Sequence, residues 1–374
     1  MKSYKKLSVI AVLAIAAAAT STAWASGPTV LYSEGFESFG LGDHPAIWGS
    51  IGGTVGSVVT NEWAATGTQS LVATVDDGAA IGRPVIVLAD VAASPLPDVF
   101  EYQATIHMEA TADSSGIVGF FFLDPRDTDV IASANAVSFG LDGNVVWTGP
   151  TPQVIGTWTP GTATTATVRV VINFLSRKAD VFLDGTLAGE DVDAWPRVIP
   201  ATSVFGAEVT LDKWGFGLAD GFAGAGPGRV FIDDVSLIEP EVIAATVKMT
   251  PRTLNLKSRG RSVSVFISLP QGVDPHGIDI SSIFLVFDDS TPVFARKKPS
   301  SISNGGKKGV PRLMVKLPRS AVEAILSTGE PVTITIGGEL EEGTFFVGSD
   351  SIKVINPGKG QGGNGNGQGN GQGG

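Results

Sequence analysis

TVRVVINFLSRKADVFLDGTL, residues 167–187, alternates from its first position. Val168, Val170, Ile172 and Phe174 fall on one side of an extended chain, and Arg169, Val171 and Asn173 on the other. A period of two with one apolar side is what a half-buried strand requires. Residues 179–183 (ADVFL) read as a second strand, and Asp184-Gly185 follows it. Asp-Gly supplies the pair of positive-φ residues that a tight hairpin turn needs. Working outward, strand-like runs recur at 117–123, 136–141, 144–148 and 229–238, with Asp142-Gly143 between the second and third. No stretch of 26–240 carries a convincing 3.6-residue period. Many short antiparallel strands with turn signals between them predict an all-β, two-sheet sandwich.

The composition agrees. Of 374 residues, 48 are Gly and 22 Pro, with 17% charged and 43% hydrophobic. That is too apolar for disorder and too rich in turn formers for a helical protein. Cys is zero, which excludes disulfides, thiol catalysis and Cys-bound zinc together. A net charge of −11 argues against a nucleic-acid partner. Lys2, Lys5 and Lys6, the apolar run 7–20 and Ala23-Trp24-Ala25 have the arrangement of a signal peptide at 1–25. No later run is long enough to span a membrane. Export follows as the expectation, to the medium, the periplasm or the cell surface. Residues 357–374 hold 10 Gly among Gln and Asn and have no apolar face to bury, so a disordered tail is expected.

Charge divides what lies between. Residues 26–240 carry 8 Lys and Arg against 26 Asp and Glu, a net of −18, and six of the seven Trp. Residues 241–358 carry 14 against 11, a net of +3, and no Trp. A shift this abrupt predicts a domain boundary near Pro240, giving bodies at 26–240 and 241–356.

Several segments of the first body carry a resemblance. Residues 31–37 (LYSEGFE) with Gly42, Pro45 and Trp48 look like the start of a secreted jelly-roll module, and 67–71 (GTQSL) like its next strand entry. Residues 179–187 (ADVFLDGTL) and 230–237 (VFIDDVSL) resemble the hairpin and final strand of concanavalin A-like, laminin-G-like folds and of several carbohydrate-binding modules. The motifs are short and bear on fold more than on ligand. In the second body, 262–269, 283–287, 313–317 and 332–336 read as strands and 319–326 as a short helical turn. Residues 252–258 (RTLNLKS), 311–317 (PRLMVKL) and 349–355 (SDSIKVI) resemble a small β-sandwich module appended to secreted prokaryotic proteins. Members of that group often carry an acidic loop before the LMVKF-like strand. Here 303–309 reads SNGGKKG, and lysines repel calcium, so no metal is expected in that loop.

No G-x-S-x-G, H-E-x-x-H or G-x-x-x-x-G-K occurs, and His44, His107 and His276 are scattered. An E-x-D-x-x-E strand, one way to present the two carboxylates of a retaining glycosidase, is absent. Glu190, Asp191 and Asp193 are the nearest acidic group, and they read as a solvated loop.

The jelly-roll resemblance implies a structural calcium between the first and last strands, and its positions fall on Glu37 and Asp233. Terminal strands of a sandwich pair side by side, and carboxylate oxygens suit calcium. The other reading is that Asp233 and Asp234 point to solvent or cap a loop. Six Trp in one sandwich offer a stacking platform for sugars, against the plain alternative that they fill the core. Trp158 and Trp195, beside Pro160 and Pro196, are the candidates for ligand contact.

The expectation is a non-catalytic exported protein that recognises a polysaccharide or surface glycan through its first body. A structural or adhesive surface protein is the first alternative, and a polysaccharide hydrolase or lyase the second. Oligomeric state is not legible.

Overall fold

The computed structural model describes residues 28–45, 48–51, 57–75, 85–90, 96–110, 115–124, 127–199, 209–211, 213–219, 228–288, 290–303 and 311–356. The expected leader, most of the 303–309 loop and the glycine-rich tail lie outside them. The chain begins with β1 (Thr29–Glu34), β2 (Trp48–Ile51), β3 (Ser57–Thr60), β4 (Ser70–Val75), β5 (Val85–Asp90) and β6 (Val99–Ala110). It continues through β7 (Ser115–Asp124), β8 (Asp127–Phe139), β9 (Asn144–Trp147), β10 (Gln153–Thr157), β11 (Thr164–Asn173) and β12 (Lys178–Leu183). β13 (Thr186–Asp193), β14 (Val198–Ile199), β15 (Val209–Thr210), β16 (Lys213–Ala219) and β17 (Gly228–Glu239) follow.

These strands form an antiparallel jelly-roll sandwich. One sheet has the order β13-β12-β11-β6-β17-β4-β3, with β1 also on β17, and the other β10-β9-β8-β7-β16-β5-β2. Alternation sets the layers. Val168, Val170 and Ile172 are fully buried and Phe174 nearly so, together with Ala104, Ile106 and Met108 on β6. Trp147 and Trp214 fill the space between the sheets, and Tyr102 meets Trp214 edge-on at 6.0 Å. Large side chains removed from water in this way stabilise by roughly 1.5–3 kcal/mol each.

The two Asp-Gly turns differ. Asp184 (φ 49°) and Gly185 (φ 75°) both take the left-handed conformation, as the β12–β13 hairpin demands. At Asp142-Gly143 only Gly143 does so (φ 82°). There the Asp142 carboxylate accepts from Asn144 N (3.0 Å) and Nδ2 (2.6 Å), so a side chain holds the turn instead of a second positive φ.

The chain then builds a second, smaller sandwich. Its strands are β18 (Val242–Ala244), β19 (Thr246–Thr250), β20 (Thr253–Asn255), β21 (Ser262–Ser268), β22 (Ile278–Val286) and β23 (Val293–Phe294). After β24 (Arg296–Ser303) and β25 (Arg312–Pro318) come the helix α1 (Arg319–Ile325), β26 (Gly329–Leu340) and β27 (Phe345–Ile355). One sheet runs β18-β27-β26-β22-β23, with β20 also on β27, and the other β19-β21-β25-β24. Val263, Val265 and Ile267 alternate inward and meet Leu313, Val315 and Leu317, while Val322 of α1 plugs the same core. Buried apolar residues therefore gather in two clusters, one ending at Leu237 and the other beginning at Ile243.

Candidate functional site

A change of strand partner creates the most unusual polar site. Residues 229–232 of β17 pair with β4, and residues 235–239 pair with β1. Asp233 and Asp234 lie in the gap between those two neighbours, with a register shift against β6 and Asp234 at φ 50°. A bulge of this kind turns a side chain out of the alternation. Asp233 is thereby fully buried. Its Oδ2 accepts from the amides of Ala65 (2.9 Å) and Thr66 (3.1 Å), whereas Oδ1 is buried with no hydrogen-bond partner. Burial raises its pKa, against the pull of the Thr66, Asp234 and Ala65 amides.

Glu37 grips the other end of the same loop. It follows β1 through Phe36, at φ 61°. Its Oε1 accepts from Thr68 N (2.6 Å) and Gln69 N (2.8 Å), and its Oε2 from Thr68 Oγ1 (2.9 Å). Those bonds hold the exposed carboxylate below its usual pKa. Gly67 sits between the two grips at φ 62°, where a Cβ would strike Glu37 Oε1. Gln69 Oε1 is a second buried oxygen with no partner. The two expected metal ligands thus share one loop, residues 65–69.

The donor set suits calcium in kind: a buried carboxylate with a free oxygen, a second carboxylate and an amide oxygen. Asp233 Oδ1, Glu37 and Gln69 Oε1 would hold the ion. Among the described residues no group of three or more His, Cys, Asp or Glu gathers in a metal-binding arrangement, so amide and backbone oxygens would have to complete the shell. Bound there, the ion would supply positive charge to a carboxylate that otherwise keeps one buried oxygen, Oδ1, without a partner.

The tethered loop presents an aromatic surface. Trp63 precedes it, fixed by Ser70 Oγ donating to the Trp63 carbonyl (2.5 Å). Its half-buried ring lies parallel to His107, with centroids 5.0 Å apart and planes 11° apart, and both rings lean on Phe231. His107 Nδ1 meets Thr165 Oγ1 at 2.7 Å, and burial lowers its pKa. Arg229 lies over Phe231 and bridges Glu109 and Glu62. Sequence reasoning passed over Trp63 and His107 because they lie 44 positions apart and only the sheet brings them together.

The sequence-derived ligand residues are placed differently. Trp158 is half-buried on the core, edge-on to Phe139, and its Nε1 donates to Gly140 O (2.7 Å). Trp195 is also half-buried, its backbone N donating to Asn135 Oδ1 (2.8 Å) and its carbonyl accepting from Asn135 Nδ2 (3.1 Å).

The Glu190–Asp193 group departs from its expected loop. It belongs to β13, with Asp191 at φ 52° and its amide on Asp180 Oδ1 (2.9 Å), while Asp193 pairs with Lys178 (2.8 Å). Asp180, Asp191 and Lys178 line a shallow cleft with Glu339 and Ser282 of the second sandwich. Burial, then the charges of Asp180, Asp191, Asp279 and Glu190, push Glu339 up to about 7.

No protein-family model matches the chain, and no curated protein matches it. Solved structures do. An endo-β-1,4-glucuronan lyase from the fungus Trichoderma reesei aligns with 54% of this chain and 94% of its own, at 14% identity and a TM-score of 0.37. The CBM22-1 xylan-binding domain of Paenibacillus barcinonensis Xyn10C aligns with 58% and 97%, at 13% and 0.27. A sialidase aligns with 57% of this chain at 11% and 0.37, and the match spans 19% of the sialidase.

Proposed function

We propose that the first sandwich recognises a polysaccharide or surface glycan without cleaving it, in a protein exported after loss of residues 1–25. The reading keeps the boundaries 26–240 for the binding body and 241–356 for a spacer or docking module. One observation carries it: the Trp63 ring laid flat on His107, half-exposed, with Glu62, Glu109, Arg229 and Thr165 beside it. Sugars place their C–H faces on such rings and their hydroxyls on flanking charged and polar groups. A calcium on Asp233 and Glu37 would stiffen the loop that carries Trp63. Trp158 and Trp195 are proposed as lesser contacts.

A glycan array or insoluble-polysaccharide pull-down with the full chain tests this. The expected result is binding that Trp63→Ala abolishes and a chelator weakens, with the melting temperature of the variant close to that of the parent. Binding that survives Trp63→Ala overturns the platform, and self-association without any glycan binding supports the structural or adhesive alternative.

A specific observation favours a second reading, a hydrolase or lyase. Glu339, held near neutrality in the cleft beside Asp180 and Asp191, has the pKa of a general acid at physiological pH. Turnover of a polysaccharide that disappears in Glu339→Gln would establish it in place of the binding reading.

A further inference from the structure

The two sheets of the second sandwich differ in charge as sharply as the two halves of the chain. Strands β19, β21, β24 and β25 contain Lys248, Arg296, Lys297, Lys298, Arg312 and Lys316 and no acidic residue. The strands of the facing sheet contain Asp279, Glu330, Glu339 and Asp350 against a single Lys353. Because side chains alternate, the register fixes which cations share the outer face. Lys248 lies opposite Phe266, Phe266 opposite Met314, and Met314 opposite Ser301. One pleat away, Thr250, Ser264, Lys316 and Arg296 form a parallel row. One pleat the other way stand Arg312 and Ser303.

Four cations thus surround the pair Phe266 and Met314 on a sheet whose remaining outward side chains are mostly Ser and Thr. Lys248, Arg296, Ser301 and Ser303 are exposed, and Phe266, Arg312, Met314 and Lys316 are half-buried. None of the four cations forms a salt bridge among the described residues. On other strands and on α1 of this body Arg252 pairs with Asp350, Arg319 with Glu323 and Lys353 with Glu330.

We propose that this outer face of β19-β21-β25-β24 docks an anionic polysaccharide, a polymer with carboxylate or sulfate groups spaced about one to a sugar ring. Arg296 and Lys316 sit one strand apart, roughly 5 Å, while Lys248 and Arg312 each stand roughly 12–13 Å from Lys316, a wide spread that suits such a polymer better than the denser phosphates of a nucleic acid. Phe266 offers a single ring for a sugar face, and the hydroxyls offer partners for the uncharged positions. Two half-buried apolar side chains are too few for insertion into a lipid surface or for the core of a stable dimer. The site lies on the second sandwich and stands apart from the Trp63 platform, so either can fail without the other.

The test uses the full chain with dextran sulfate and polygalacturonate as probes, and neutral dextran as control, without added calcium. Binding to both polyanions but not to neutral dextran is expected at about 50 mM salt, weakening steeply by about 200 mM. The double variant Lys248→Gln/Lys316→Gln should lose about tenfold in affinity. Phe266→Ala should weaken binding with an unchanged salt slope, and Trp63→Ala should leave it intact. All of these positions are exposed or half-exposed, and a melting curve for each variant confirms folding. Undiminished binding by the double variant overturns the proposal. So does tighter capture by duplex DNA or by phosphatidylserine vesicles at the same ionic strength, or a salt-sensitive dimer that the double variant abolishes.

Discussion

Each sandwich buries one charged side chain among its described residues, and the two are treated in opposite ways. In the second, Arg319 at the start of α1 is 5% exposed and satisfied. Its Nε donates to Glu323 (2.6 Å) and its Nη2 to the Asn255 carbonyl (2.7 Å). In the first, Asp233 is 0% exposed and keeps an oxygen without a partner. A buried ion pair that is closed on itself acts as a joint, here locking α1 to the β20 end of the sheet. A buried carboxylate left open is a cost carried by the fold until something positive arrives. The contrast marks Arg319 as a closed joint and Asp233 as the buried charge with an oxygen still open, the one that the proposed calcium would complete.

The largest expected effect tests the closed member. Arg319→Met leaves Glu323 and the Asn255 carbonyl without their donor and should destabilise the second sandwich by about 3 kcal/mol, read by urea unfolding. Adding calcium or a chelator should not alter that loss. If calcium restored it, the division of roles between the two charges would be wrong.

The open member should respond to metal. Saturating calcium at roughly 100 times its dissociation constant should stabilise the parent by about 2.7 kcal/mol, and Asp233→Asn should remove most of that gain. In calcium-free buffer the same variant should be as stable as the parent or more so, since it sheds a desolvated charge and keeps an acceptor. No calcium-dependent shift in the parent would count against Asp233 and Glu37 as ligands.

A smaller effect is expected where the two grips meet. Gly67→Ala places a Cβ at φ 62° against Glu37 and should cost roughly 1–2 kcal/mol by calorimetry, with weaker calcium response. A neutral result would mean that the loop closes without Glu37.

The smallest concerns pH. Glu339 has its folded-state pKa raised to about 7 from a model-compound value of 4.5. The folded protein therefore holds this proton more tightly than the unfolded chain, and stability falls as pH rises from about 4.5 through about 7. Glu339→Gln should raise the melting temperature by a few degrees at pH about 8 and leave it unchanged at pH about 4. A gain of equal size at both pH values would show that packing, not charge, is responsible.

How much was legible varies with the range of the interaction. The strands at 167–174, 179–183 and 262–269 were readable because alternation is a local consequence of extended backbone. The short helix at 319–325 was readable from Ala321, Val322 and Ile325, because the three-to-four-residue spacing of a helical face is also a local pattern. Glu37 and Asp233 were named through resemblance, and their shared grip on residues 65–69 appears only in the fold. One local sign of the bulge does exist: inward residues fall at 230 and 232, then at 235 and 237, so the parity slips at Asp233-Asp234. The Glu190–Asp193 group looked like a loop because acidic residues and a nearby Gly resemble a turn, whereas pairing with β12 holds it in a strand.

Composition and periodicity alone settled that this chain is built of β-strands with opposite charge in its two halves, because those properties are sums over residues or patterns between near neighbours. Which side chains meet was decided only by strand order and register. Trp63 finds His107, Asp233 keeps one oxygen unpartnered between β4 and β1, and four cations share one face because a sheet joins residues far apart in the chain. A single slipped residue of register would have sent each of them to the opposite side.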